Sequence, residues 1–316
     1  SKFWLQSNNY TSLIFNWAEP GKVKDFVDHL VNYTFVKQII FLKSKKMVKE
    51  DALALARLTN LRILRFSEVY GTRFDLSQEE WMQFSGLTNL QEFHFNGNYP
   101  ATLLTNFPYL NKLDLSVKDF SVTDQIVVVS SSTNLQSLTL RYDADIIIAT
   151  NSIAKVTEIR AISKLKGTYG ANDSNALERF TNLKSLSWDI KGITPPLEKL
   201  TKLQYLDIAT DNNPSPDLLS KNQHLTGLKL NVFASQQFFN SLTSLYKLRQ
   251  LTIHEVTMPL DNFYFLTQLL QLEEFEATPK RPLERLKEEV MGYIKSPHLT
   301  KLVCKVDAEY LNLFTN

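Results

Sequence analysis

Residues 59–66, Thr-Asn-Leu-Arg-Ile-Leu-Arg-Phe, decide the fold, because their pattern returns along the chain. Thr-Asn-Leu recurs at 88–90, 133–135 and 181–183, and each copy is followed by polar, variable, apolar, variable, apolar residues. Written as L-x-x-L-x-L, the copies read Leu61-Leu64-Phe66, Leu90-Phe93-Phe95, Leu135-Leu138-Leu140 and Leu183-Leu186-Trp188. The same frame fits thirteen times, centred on Leu13, Ile39, Leu64, Phe93, Leu113, Leu138, Ile159, Leu186, Leu206, Leu228, Leu251, Phe275 and Leu302. In a chain that is 43% hydrophobic, apolar triplets alone would mean little. Ten of the thirteen first positions are Leu, and every Thr-Asn-Leu falls in the same phase.

With gaps of 20 to 29 residues between centres, the sequence resembles the leucine-rich-repeat family over roughly residues 10 to 305. The last two apolar residues of each unit are two apart, so on a strand they point to one face and their neighbours to the other. One strand and its return segment cannot bury an apolar face alone. Stacked units can, which predicts an α/β solenoid: a curved horseshoe of about thirteen units, with a parallel sheet on the concave face and short helices on the convex face. Residues 1–9 and 306–316 are expected to cap a single domain. Helical spacing predicts helices within 47–58, 238–248, 263–272 and 283–294, and Pro195 suits the start of a short one before Leu200. The family's pattern usually continues to an Asn five residues after the centre, whose amide holds the turn. Only Asn98 stands there; Asp143, Asp211, Asp307, Val69, Phe233 and Val256 are among the replacements. Divergent repeats, with turns satisfied in other ways, are therefore expected.

The single cysteine, Cys304, falls at a core position and excludes a disulfide within the chain. Extracellular members of the resembled family commonly close their ends with disulfides, so a cytoplasmic or otherwise intracellular, reducing setting is expected. The glycosylation-type triplets at Asn9, Asn32 and Asn172 match what composition gives by chance. No apolar run is long enough to span a membrane. Net charge is +2, too balanced to suggest nucleic acid, but residues 1–65 hold eleven basic and five acidic side chains. Lys43, Lys45, Lys46 and Lys49 form a basic knot there, either a solvated loop or a second binding site for an acidic partner.

The open face carries the residues directly before, directly after and three after each centre. Its central column reads Arg65, His94, Asp114, Thr139, Arg160, Ser187, Asp207, Lys229, Thr252 and Glu276, with Ile14, Ile40 and Val303 at the ends, and His254 lies three after its centre. Such a polar, extended surface suits a macromolecule better than a metabolite, which prefers an enclosed apolar pocket. His94, Asp114 and Thr139 superficially resemble a base, its orienter and a nucleophile, with His254 and Glu276 a weaker version. Catalysis would further need an oxyanion hole and exclusion of water, so no enzyme is expected. The five histidines show no ligand spacing, no phosphate-binding glycine motif occurs, and neither metal nor cofactor is expected. The polar stretch 163–175 would rim the open face. Trp4, Tyr10, Phe15 and Trp17 are expected over the end of the core, and Trp188 within it.

The reading that follows is a non-catalytic protein-recognition module or scaffold, binding another protein through Arg65, His94, Asp114, Thr139, Arg160, Ser187, Asp207, Lys229, His254 and Glu276. The rival is an adaptor or substrate receptor of a ubiquitin ligase, or a secreted pathogen effector. That would need a recruiting element outside the solenoid.

Overall fold

A computed structural model describes residues 11–15, 22–30, 35–42, 48–66, 77–96, 106–117, 126–127, 134–142, 146–147, 155–163, 177, 180–190, 197–210, 214–232, 235–256, 260–279 and 292–304. Every one of the thirteen centres lies in a strand. They are β1 (Ser12–Phe15), β2 (Gln38–Phe41), β3 (Ile63–Phe66), β4 (Glu92–Asn96), β5 (Lys112–Val117), β7 (Ser137–Tyr142), β9 (Glu158–Ser163), β10 (Ser185–Ile190), β11 (Tyr205–Thr210), β12 (Gly227–Val232), β13 (Gln250–Val256), β14 (Glu274–Pro279) and β15 (Lys301–Cys304). A short parallel pair, β6 (Ile126–Val127) with β8 (Ile146–Ile147), stands apart from the series.

The chain divides into two compact units, residues 1–156 with 166–176, and residues 157–165 with 177–316. In the first, β1-β2-β3-β4-β5-β7 form a parallel sheet; in the second, β9 through β15 do the same in sequence order. The register places the centres opposite one another: Leu13, Ile39, Leu64, Phe93, Leu113 and Leu138 in one unit, and Ile159, Leu186, Leu206, Leu228, Leu251, Phe275 and Leu302 in the other. A slip of one residue in any strand would turn its apolar set outward, so the Leu pattern itself fixes this alignment.

The entry to each strand repeats too. In Leu58–Leu61, Leu87–Leu90, Phe107–Leu110, Phe180–Leu183, Leu200–Leu203, Leu245–Leu248 and Leu269–Leu272, the N–H of the last residue donates to the first carbonyl, closing one tight turn. The two amides after that turn then donate to a single carbonyl of the previous unit: Arg62 and Ile63 to Lys37, Gln91 and Glu92 to Arg62, Lys184 and Ser185 to Thr157. Asparagines tie consecutive turns together. Asn89 Nδ2 donates to the Thr59 carbonyl at 3.0 Å and Asn134 Nδ2 to that of Pro108 at 3.0 Å. Asn222, buried where other units have Leu or Phe, donates to the carbonyls of Leu200 at 3.0 Å and Leu197 at 3.4 Å. In two of the four Thr-Asn-Leu copies, at Asn89 and Asn134, the asparagine thus supplies turn bonding between units before the strand. Among the alternatives named for the position five after the centre, Asn98, Val69, Asp143, Asp211, Phe233 and Asp307 lie outside the described residues.

The return segments are shorter and more varied than expected. Helix α2 (Lys49–Ala56) confirms the helix within 47–58. The segment 238–248 is split into α4 (Gln236–Ser241) and a 3-10 turn at Leu242–Ser244, while 263–272 gives a 3-10 helix, Leu260–Gln268, in place of an α-helix. Residues 197–200 form a single turn with no helix, and most of 283–294 lies outside the described residues. Either winding can bury the same few apolar positions, and the apolar pattern does not choose between them. Two helices were not foreseen: α1 (Lys22–Leu30), and α3 (Gln78–Met82) followed by a 3-10 turn at Gln83–Gly86. Ser77 and Glu80 form a capping box at the start of α3, a sequence signature that Ser-Gln-Glu-Glu carries openly. Asp51 of α2, almost wholly buried, accepts the Lys24 amide at 2.9 Å, so one unit's helix caps the helix before it.

An aromatic ladder runs through the first unit's core. Phe41 stacks on Phe66 at 5.1 Å, Phe66 meets Phe95 edge-on at 6.1 Å, and Trp81 stands edge-on to Phe95 at 4.5 Å. In the second unit, Phe239, Phe265, Phe263 and Phe275 make a similar series. Trp188 is buried as expected. Trp4, Tyr10, Trp17 and the side chains of Phe15 and Cys304 lie outside what is described.

A polar column on the open sheet face

The strand register that aligns the leucines aligns their polar neighbours as well. In the first unit Ile40, Arg65, His94, Asp114 and Thr139 face one another in turn; in the second, Arg160, Ser187, Asp207 and Lys229 do so, and Thr252 stands opposite Glu276. The alternation of buried and half-exposed residues along β2 and β3 places this column on the face opposite the core.

The column is internally paired. In the first unit the Arg65 guanidinium donates to Glu92, on the next strand but in the column before the centres. His94 lies between two carboxylates, Nδ1 at 3.3 Å from Asp114 Oδ2 and Nε2 at 3.7 Å from Glu92 Oε2. Burial disfavours the charge on Glu92, but the hydrogen bond and charge of Arg65, helped by Lys112 and His94, outweigh it and hold the carboxyl below its ordinary value. A depressed folded value stabilises the protein above the unfolded value and loses that contribution as pH falls through the folded one. Glu92→Gln is therefore expected to lower the urea midpoint at pH 7 and to differ progressively less from wild type as pH falls below 4.5. A difference independent of pH would show that the pairing contributes nothing to stability.

In the second unit Asp207 is the hub. Its Oδ2 accepts from Lys229 Nζ at 3.1 Å and from Ser187 Oγ at 3.4 Å. Beyond it, Glu274 takes Gln250 Nε2 at 3.3 Å on one oxygen and Lys301 Nζ at 3.1 Å on the other. Tyr205 stands beside this hub. Burial, then the charge of Asp207, push its phenol up, against the opposing pull of Lys229 and Arg160.

The described positions correct two expectations. Thr139 is only 9% exposed; a short side chain about 4.8 Å from the neighbouring strand is shaded by longer ones, so it offers a partner little surface. His254 pairs in register with Thr278, and Glu276 with Thr252, which makes His254 and Glu276 diagonal rather than facing neighbours. Nor do His94, Asp114 and Thr139 make a triad. His94 and Thr139 are two strands apart, about 9.6 Å, with Asp114 between them, whereas base and nucleophile must share a hydrogen bond. Lys49 opens α2 on the surface; Lys43, Lys45 and Lys46, and most of 163–175, fall outside the described residues. Among the described residues no cluster of His, Cys, Asp and Glu could hold a metal, and no helix is long and apolar enough to cross a membrane.

No protein-family profile and no curated protein matches the sequence. Solved structures do. An internalin, InlF, from Listeria monocytogenes is similar over 94% of this chain and 81% of its own, at 18% identity and a TM-score of 0.53. The protein of a TLR13–ssRNA13 complex is similar over 94% of this chain but 44% of its own length, at 17% identity and a TM-score of 0.55. At these identities the likeness is one of fold. With the phase-locked repeat, the aligned centres and the parallel sheets already in hand, it leads to one conclusion: this chain folds as a leucine-rich-repeat protein.

Proposed function

We propose that the chain is a non-catalytic recognition module that holds a protein partner along its polar sheet face. The observation that carries this reading is the column itself, in each unit a row of mostly polar side chains on the face opposite the core. A mixed-sign surface supports a protein partner over a nucleic acid. Directly before and after the centres stand six acidic residues, Glu92, Asp114, Glu158, Asp207, Glu274 and Glu276, against five basic ones, Arg65, Lys112, Arg160, Lys229 and Lys301. A polyanion would be bound by an excess of cations. The TLR13 structure includes an RNA, but that is a property of that complex. The lone Cys304 supports a reducing, intracellular setting for this protein.

The pairing within the column shapes the test. Reversing one charge would break a partner's bond and blur binding with stability, so the Asp207/Lys229 pair is exchanged whole, as Asp207→Lys with Lys229→Asp. Such a swap keeps an ion pair at this part-buried position while inverting the pattern a partner reads. With a partner recovered by affinity purification and identified by mass spectrometry, the swap is expected to weaken its binding tenfold or more with the melting temperature unchanged. The control on a return segment, Glu198→Lys with Lys199→Glu, is expected to be silent. Retained binding by the swap, together with loss on changing Lys43, Lys45 and Lys46 to Glu, would move the interface to the basic loop and sink the reading.

A further inference from the structure

The turns that enter the strands of the second unit stack as regularly as the strands. Two amides after each turn donate to one carbonyl of the unit before: Thr226 and Gly227 to Gln204, Arg249 and Gln250 to Thr226, Glu273 and Glu274 to Arg249. Ser296 Oγ donates to the Leu270 carbonyl at 3.0 Å and accepts the His298 amide at 3.2 Å, which seats the last turn on the one before it. Side chains on these turns therefore form a second fixed row, at the strand-entry end of the sheet and apart from its open face.

Charge in this row is one-sided. Residues 180–184, 199–204, 221–226, 244–249 and 268–273 hold six cations, Lys184, Lys199, Lys202, Lys221, Lys247 and Arg249, against one carboxylate, Glu273. The last turn adds Lys295, and Glu198 precedes the second turn, so the excess stands with both included. Arg249 meets Glu273 at 3.4 Å, whereas Lys202 and Lys247 contact Asn182 Oδ1 and His224 Nδ1, neither of them a carboxylate. The sheet face, with nearly equal numbers of both signs, has no such excess.

Apolar side chains stand among these cations. The second residue of the turn is Thr181, Thr201 and Gln223 before β10, β11 and β12, but Tyr246, Leu270 and Pro297 before β13, β14 and β15. Tyr246 and Leu270 are each 52% exposed. The core does not require them, since threonine and glutamine close the same turn. The Lys247 ammonium lies 5.7 Å over the Tyr246 ring, so cation and apolar tip occupy one place.

We propose that this strand-entry edge of the second unit is a peripheral contact for an anionic lipid surface. Tyr246 and Leu270 enter the boundary between head groups and acyl chains, where tyrosine is favoured, and Lys202, Lys221 and Lys247 meet the negative head groups. Neither signal suffices alone, because a small apolar anchor holds only marginally without a basic patch beside it. A single-stranded nucleic acid would use the cations and could stack a base on Tyr246, but Leu270 and Pro297 offer it no aromatic face. The sheet face is left to a protein partner, and neither reading depends on the other.

The test is co-sedimentation of the full chain with vesicles of phosphatidylcholine alone and with about one third phosphatidylserine. Binding is expected to the second only and to fall as salt is raised, since exposed charges are screened. Tyr246→Ser with Leu270→Ser should weaken it about tenfold, and Lys202→Gln with Lys221→Gln and Lys247→Gln by at least as much. All five positions are exposed, and circular dichroism of each variant checks the fold. No sedimentation, equal binding to both vesicles, or binding indifferent to either set of changes would overturn the proposal. So would tighter binding of a fluorescein-labelled single-stranded RNA at the same salt, lost in the lysine variant but kept in the Tyr246/Leu270 variant, which would make the edge a nucleic-acid contact.

Discussion

Replacing Leu186 by Asp is expected to unfold the second unit at room temperature. Leu186 has no exposed surface and sits at the centre of β10, aligned with Ile159 on one side and Leu206 on the other. The change removes a buried leucine, about 2–5 kcal/mol when truncated to alanine, and adds a carboxylate with no partner at a cost of several kcal/mol more. Domains of ordinary stability hold only about 5–15 kcal/mol in all. In a repeat protein each unit leans on its neighbours, so damage at a central strand spreads to those beside it. Ser187→Asn, one residue along on the other face, is expected to cost no more than about 1 kcal/mol, because Ser187 is half-exposed and an amide can still donate to Asp207. Thermal unfolding followed by circular dichroism distinguishes the two. Equal losses would mean that the core and open faces have been exchanged. Asp at position 187 makes a poor control, since it would set a second carboxylate beside Asp207.

These variants probe the part of the molecule most openly written in its residues. A period-2 apolar pattern states which side of a strand is buried, and repetition in phase states which strands are neighbours, so the centres, their register and the membership of the polar column all follow from spacing. The returns are less legible because a dozen residues with a few apolar positions can wind as α or 3-10 helix with nearly the same burial. Residues 263–272 satisfied the helical pattern and became 3-10. By contrast α3 is legible through the Ser77–Glu80 capping box and not through apolar spacing. Pairing within the column is a different matter. That Asp207 would gather Ser187 and Lys229, that Thr139 would be covered, and that the edge of the Tyr205 ring would close on Gly227 depend on rotamers and on side-chain lengths two strands away, about which linear spacing carries no information. The asparagines of Thr-Asn-Leu lie between these cases: they mark the phase of the repeat at once, yet the bonds of Asn89 and Asn134 to the previous turn become visible only when the turns are stacked.

The aromatic ladder gives the second large effect, a destabilisation of about 3–5 kcal/mol for Phe95→Ala. Phe95 is 2% exposed and is the rung at which three contacts meet: Phe66 on β3 at 6.1 Å, Trp81 on α3 at 4.5 Å, and Phe93 two residues before it at 5.8 Å. Edge-on geometry adds about 0.5–1.5 kcal/mol per pair beyond the area buried, so removing the ring costs both its burial and the orientation of its neighbours. Trp81 would suffer most, because its edge-on contact with Phe95, at 4.5 Å, is the shortest of the three. Phe95→Leu keeps much of the volume and should recover more than half of the loss. Tyr264→Ala, at an aromatic side chain 62% exposed, should change stability by no more than about 0.5 kcal/mol. Urea titration of the three variants sets the scale, and amide exchange shows where the loss falls: faster exchange in β3, β4 and α3 is expected for Phe95→Ala. A loss below about 1 kcal/mol, or exchange unchanged in those elements, would mean that the rings only fill space and that the aliphatic centres alone hold the first unit together.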